Sequence, residues 1–185
     1  LETGAFDFAA ISAFMHVRDL CYMGEELEVI KQQASSYHDA IAPLGQETYL
    51  HHNDIVWQAV LNLMGNTENR CDLVGEAYDE KKMLPIHLKA NDRIAINVLY
   101  TNKSILNYMF QEYQQALENT VMCGKYLDGA LATLGVPIYH FYDSLVRLAI
   151  FSETPKGEQK NHLKNVAANQ KKMKKWARHA PMNYL

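Results

Sequence analysis

Apolar side chains recur every three to four residues through most of this chain, and that spacing restricts the fold more than any other feature of the sequence. A period of 3.6 residues places such side chains on one face of an α-helix, whereas strands alternate with a period of two. The helical spacing is clearest in four segments: 25–42, 46–64, 92–110 and 139–151. These segments predict amphipathic helices that bury their apolar faces against one another.

Glycine and proline divide the chain into pieces of helical length. Only nine glycines and five prolines occur, and most intervals between them are about 15–25 residues, too long for typical strands. Sustained alternation of apolar and polar residues is not seen. We therefore predict an all-α fold of about seven helices joined by short turns, in a single helical-repeat segment covering 1–185 that we expect to be cut from a longer chain.

One stretch breaks the helical pattern. Residues 66–85, NTENRCDLVGEAYDEKKMLP, are polar and acidic with a short apolar centre. We interpret them as a long connection between helical hairpins, or as a one-turn helix within such a connection.

Two junctions between helices resemble each other, at Tyr22–Leu27 and at Tyr108–Tyr113. Each follows a long apolar segment and places an acidic residue where a new helix begins, which suits the helix dipole. Across the second junction the pattern F-x-x-Y-x-x-A-L is similar to the turn of a tetratricopeptide repeat. The junctions lie 86 residues apart, which is not a multiple of the repeat length of about 34. We predict stacked antiparallel helical hairpins in an irregular tetratricopeptide-like solenoid.

Charge is distributed unevenly along the chain. Residues 156–179 hold eight basic residues and one carboxylate, that of Glu158, which gives a formal charge of +7. Because the net charge of the chain is −3, the remaining residues carry −10. Hydrophobic residues at 48% and charged residues at 21% are typical of a soluble protein. The three widely spaced cysteines, with no C-x-x-C pair, favour a reducing compartment. We predict a cytoplasmic protein.

The best metal candidate is the group formed by Glu47, His51 and His52. Glu47 and His51 are four residues apart and share a helix face, but a metal site needs further ligands from a facing helix. Neither E-x-x-H nor H-E-x-x-H occurs. A polar helix face is the favoured interpretation, and we predict no metal and no cofactor in this segment. A metal- or small-molecule-binding helical sensor is the alternative function.

Aromatic residues are concentrated around Tyr139, His140 and Tyr142, next to Asp143 and Ser144. The spacing allows the His, Asp and Ser side chains to touch on one helix. However, no G-x-S-x-G elbow occurs, and three groups on one short stretch cannot surround a substrate. We predict no catalytic residue here, and no phosphate-binding glycine loop occurs elsewhere. The favoured interpretation is a packing layer containing a hydrogen-bonded His140.

The last helix is basic and amphipathic. Its apolar side includes Met173 and Trp176, and the other side carries five cations: Lys171, Lys172, Lys174, Lys175 and Arg178. Such a helix can bind nucleic acid, an anionic membrane or an acidic partner, or its lysines can simply face solvent. The acidic remainder opposes nucleic acid, and the modest apolar face opposes a membrane. The favoured interpretation is that the lysines face solvent. The alternative is a protein-interaction surface made of these cations together with Tyr139, His140 and Tyr142.

Four segments of the chain resemble the helical region of large bacterial multidomain signalling kinases. They are NQKKMKKWARHAPMNYL, HFYDSLVRLAIF, ANDRIAINVLYTNKSILNYMF and EYQQALENTVMCGKYLDGALATLGVP. Those proteins combine a serine/threonine kinase, an AAA-type ATPase, a tetratricopeptide-like region, a GAF domain and a histidine kinase. The resemblance covers essentially the whole chain, most strongly from Asn91 onward.

This resemblance implies a non-catalytic scaffold between the ATPase and the sensor–kinase half of a two-component signalling protein. It implies no activity for the segment itself, because no H-R-D-x-x-x-x-N, D-F-G or Walker A sequence is present. The expected partners are other domains of the same polypeptide or a signalling protein, with neither nucleic acid nor membrane.

Overall fold

A computed structural model describes residues 4–65 and 67–180. These residues form eight α-helices and no β-strand, which confirms the predicted all-α class. The α-helices are α1 (Gly4–Met23), α2 (Leu27–Ile41), α3 (Glu47–Leu63), α4 (Glu80–Ala90), α5 (Arg93–Met109), α6 (Tyr113–Lys125), α7 (Gly135–Ala149) and α8 (Lys156–His179). Two short 3-10 helices, Ala42–Leu44 and Leu127–Ala130, lie in the connections.

Most helices that are neighbours in sequence pack on each other, and three pairs of alternate helices do so as well. The neighbouring pairs in contact are α1–α2, α2–α3, α4–α5, α5–α6, α6–α7 and α7–α8, and the alternate pairs are α1–α3, α3–α5 and α5–α7. The α5–α6 pair is antiparallel, because Thr101 meets Cys123 while Ser104 meets Thr120 and the carbonyl of Ala116. This contact pattern is compatible with stacked hairpins, and the solenoid arrangement stays a prediction.

The two resembling junctions have the same backbone geometry. At the first, Gly24 adopts φ +75°, its amide donates to the Cys21 carbonyl, and the next amide donates to Leu20. At the second, Gln111 adopts φ +66° with the same pair of hydrogen bonds to Tyr108 and Asn107. This is the Schellman ending of a helix, in which a left-handed residue reverses the chain. The similarity seen in the sequence is therefore a shared helix-ending motif.

The core lies around α3 and α5. Residues on their buried faces contact α1 and α2 on one side and the connection before α4 on the other. Its buried members are Phe14, Val17, Ile30, Ala34, Ile55, Val56, Ala59, Val60, Leu73, Tyr78, Ala95, Val98, Leu99 and Leu106. Most of these residues belong to the predicted apolar stripes.

The connection after α3 is shorter than the predicted range 66–85. Helix α4 begins at Glu80, and Pro85 lies inside it rather than at the end of a loop. Proline removes one backbone donor and normally disfavours a helix interior. Here the N-terminus of the helix is stabilised, because the Asp79 side chain caps the helix by accepting a hydrogen bond from the Lys81 amide.

Side chains of α3 hold the connection in place. The Gln58 side-chain oxygen accepts hydrogen bonds from the amides of Ala77 and Tyr78, at 3.0 and 3.2 Å. The Asn62 side chain donates to the carbonyls of Arg70 and Asp72. Both side chains are fully buried. They satisfy backbone groups that an irregular segment would otherwise bury without partners.

Candidate functional site

A buried polar network joins α7 to α8. His140 Nδ1 donates to Asn169 Oδ1 at 2.8 Å, and Asn169 Nδ2 donates to Asp143 Oδ2 at 2.6 Å and to Ser144 Oγ at 3.2 Å. Arg147 Nε donates to the other Asp143 oxygen at 2.8 Å. The network fixes the register of the two helices, since each buried group depends on a partner from the facing helix.

His140 is buried and hydrogen-bonded, as in the packing layer that the sequence favours, and it is not part of an exposed interaction surface. Only 4% of the residue is exposed, and its ring lies 5.6 Å from that of Trp176. Burial lowers its pKa, which favours the neutral imidazole. With Nδ1 donating to Asn169, its Nε2 accepts from Lys172 Nζ at 3.4 Å. His140 thus contacts the basic helix α8 through Asn169 and Lys172.

The two candidate tyrosines are half-buried in the packing of α7. The Tyr139 hydroxyl lies against Gly124 of α6, where a Cβ atom would approach it to 2.7 Å. Tyr142 packs edge-to-face on Tyr108 of α5. Burial raises the pKa of Tyr139 to about 12 and also raises that of Tyr142. Both tyrosines therefore contribute mainly to the contacts of α7 with α5 and α6.

The basic face of α8 is exposed. Lys171, Lys172, Lys174, Lys175 and Arg178 are all exposed residues. Within residues 4–65 and 67–180, no carboxylate lies within ion-pair distance of any of the five. The lysines do not pair with the acidic body in this part of the chain, so their positive charge is directed to solvent.

An apolar groove adjoins this basic face. Trp176, His179 and Ala180 form one wall, and the turn before α7 and the start of α7 form the other. The groove has a volume of about 340 Å³, and the second wall consists of Leu131, Ala132, Thr133, Val136 and Pro137. Leu131 is 66% exposed, which is unusual for a large apolar side chain beside a concave surface. Lys172 lies one helical turn before Trp176, on the same side of α8 as this wall of the groove.

The predicted metal candidate is arranged differently from a metal centre. His52 is buried and donates from Nε2 to the Asp92 carboxylate at 2.9 Å, while the His51 ring packs on His87, 5.6 Å away. Glu47 lies in the first turn of α3. No group of three or more His, Cys, Asp or Glu residues is placed to hold a metal within the described parts of the chain.

Asp92 and His87 form a buried cluster with His52 that the sequence analysis missed. Asp92 caps α5 by accepting from the Ala95 amide at 3.0 Å, and its Oδ2 lies 3.6 Å from His87 Nδ1. Burial lowers the pKa of His87 to about 4. The capping role was visible in the sequence, because Asp92 precedes an apolar helical stripe. Its contact with His52, forty positions earlier, left no sequence signal.

Comparison with protein-family models, with curated proteins and with solved structures finds no match for this chain. None of the helices in the described residues is long and apolar enough to cross a membrane. The resemblance to the helical region of signalling kinases stays a prediction.

Proposed function

We propose that this chain is a non-catalytic helical scaffold that binds an acidic, amphipathic segment of a partner protein along the groove between α8 and the start of α7. The observation that carries the proposal is the juxtaposition of exposed, unpaired cations with an apolar groove. Cations alone are usually a solvated face, and a small groove alone is common. Together they match a partner that offers both an apolar anchor and carboxylates.

The chemistry of the partner follows from the two halves of the surface. Trp176 and Leu131 offer apolar area for a Leu- or Phe-like anchor. Lys171, Lys175 and Arg178 lie at spacings of four and three residues and form a row along α8. A helix with apolar residues on one face and carboxylates beside them is complementary to this arrangement.

The scaffold holds this surface rigidly. The buried network of His140, Asp143 and Asn169 fixes α8 against α7, so the groove does not have to form when the partner arrives. A preformed groove lowers the ordering cost of binding. In the kinase family that the sequence resembles, the partner would be the ATPase or sensor–kinase part of the same polypeptide, in the cytoplasm.

The test uses a fluorescein-labelled helical peptide with Leu and Glu on adjacent faces, and a second peptide in which Ser replaces every Leu. Fluorescence anisotropy of each peptide with the purified chain gives the affinity. We expect the first peptide to bind and the second to bind far more weakly, because it keeps the charge but has no anchor. Affinity should also fall with added salt.

The matched variants lie on the same helix. K171Q/K174Q/K175Q removes three exposed cations from the second half of α8, which holds Trp176, and K156Q/K160Q/K164Q removes three from the first half. We expect at least about a tenfold loss for the first variant, since exposed ion pairs contribute up to ~1 kcal/mol each. The second variant should change affinity much less. Equal losses would reduce the interaction to general charge attraction and contradict the proposal.

A further inference from the structure

A polar cavity lies away from α7 and α8, between the connection after α3, helix α5 and the start of α6. Its volume is about 460 Å³, within the range of about 300–1,000 Å³ that accommodates small molecules. The side chains that decide its chemistry are Asp72, Glu112, Glu118, Asn69, Asn107 and Lys103. The proposed function does not use this cavity.

Lys103 does not neutralise the cavity. Its ammonium group is hydrogen-bonded to Glu80 and lies 3.6 Å from Asp72 Oδ1. The carboxylates of Glu112 and Glu118 are on exposed residues and form no ion pair with a described residue. Three carboxylates and one lysine line the cavity, a formal charge of −2.

Asn107, which lines the cavity, provides an acceptor. The residue is only 3% exposed, and its Nδ2 donates to the Lys103 carbonyl at 2.7 Å. That bond fixes which way the amide faces, because a carbonyl can only accept. The side-chain oxygen accepts no hydrogen bond from a described residue, although Asn107 lines the cavity. A buried amide whose oxygen lacks a protein partner offers an acceptor to a ligand donor.

The Cys71 thiol, which also lines the cavity, responds to the same negative charge. Burial raises its pKa, and the carboxylates of Glu112 and Asp72 raise it further. A cation that carries several hydrogen-bond donors is complementary to such a lining.

We propose that this cavity binds a small organic cation with primary ammonium groups, of the linear polyamine class. One ammonium group donates to the side-chain oxygen of Asn107, and the other end of the molecule reaches the carboxylates of Glu112 and Glu118. An ammonium group has three donors and no acceptor, which matches a lining of carboxylate and amide oxygens. A bare metal ion fits less well, since the described residues hold no group of three ligands close enough to coordinate one.

The experiment is an isothermal titration of the chain with spermidine, at low and at moderate salt. E112Q/E118Q removes two carboxylates of the cavity, and E26Q/E153Q removes two exposed carboxylates that do not line it. Both variants have the same net charge. All three proteins are also examined by sedimentation velocity without spermidine.

We expect one spermidine per chain, affinity about tenfold weaker for E112Q/E118Q, and little change for E26Q/E153Q. Binding without saturation, or equal weakening in both variants, would overturn the proposal, because the amine would then act only as a diffuse counterion. Self-association that E112Q/E118Q abolishes would also overturn it, since the ammonium group would come from a lysine of a second copy. None of these outcomes depends on the groove beside α8.

Discussion

Three polar side chains from separate elements form one cluster in the interior. His87, His52 and Asp92 belong to α4, α3 and the cap of α5, and they meet in one cluster. The sequence predicted the apolar stripes of these helices because periodicity is a local property. It did not predict the cluster, because each residue type alone suits an exposed helix face equally well. Partners forty positions apart are found only in the folded chain.

His87 gives the fold a dependence on pH. Its pKa is lowered to about 4 in the fold, chiefly by burial, whereas an unfolded His titrates near 6.5. The folded state therefore binds fewer protons between these values, so stability is present above about pH 6.5 and falls as the pH drops towards 4. The neighbouring charges are those of Asp92, which opposes the shift, and of His51 and His52, which add to it.

We expect the wild-type chain to lose about 2 kcal/mol of unfolding free energy between pH 7 and pH 4.5 through this residue. H87Q keeps a polar side chain that cannot titrate, so its loss over the same interval should be smaller by about that amount. Urea unfolding at both pH values measures the difference. Identical pH dependence in the two proteins would show that His87 is not held neutral by the fold.

At the scale of elements, helix endings were more predictable than helix starts. The endings at Gly24 and Gln111 were recognised as similar, and both are Schellman turns. The start of α4 was missed because Pro85 normally ends a helix, while the cap at Asp79 and the bonds from Gln58 to the connection overcome its cost. The bonds from Gln58 are tertiary contacts, which no local pattern of residues reports, whereas the Asp79 cap is a local contact.

Substitutions at the left-handed residues of the two turns should change stability in opposite directions. A Cβ atom at Gly24 would touch nothing within 4 Å, so G24A tests only the left-handed backbone, and we expect a loss of about 1 kcal/mol. Gln111 already has a side chain at φ +66°, so Q111G should stabilise the chain by about 0.5–1 kcal/mol. Thermal and urea unfolding measure both. Destabilisation by Q111G would show that the Gln111 side chain contributes more than its backbone strain costs.

At the scale of the whole molecule, the positive charge that the sequence concentrates in its last helix lies on an exposed face of α8. Helix α8 exposes its cations while it contacts α7 through a buried, hydrogen-bonded interface. The sequence located the basic face correctly but could not show the adjoining groove. One wall of that groove comes from residues around Leu131, far away along the chain. The burial of His140 against α8 agrees with the packing layer that the sequence favoured, and not with its inclusion in the surface to test.

The most direct test of the docking surface is hydrogen–deuterium exchange of the chain with and without the Leu- and Glu-containing peptide. We expect protection on binding to be confined to residues 131–137 and to the last two turns of α8, and we expect K171Q/K174Q/K175Q to remove it. Exchange in α1–α3 should not change. Protection centred on α1–α3, or no protection at a peptide concentration that saturates the anisotropy signal, would contradict the assignment of the groove as the binding site.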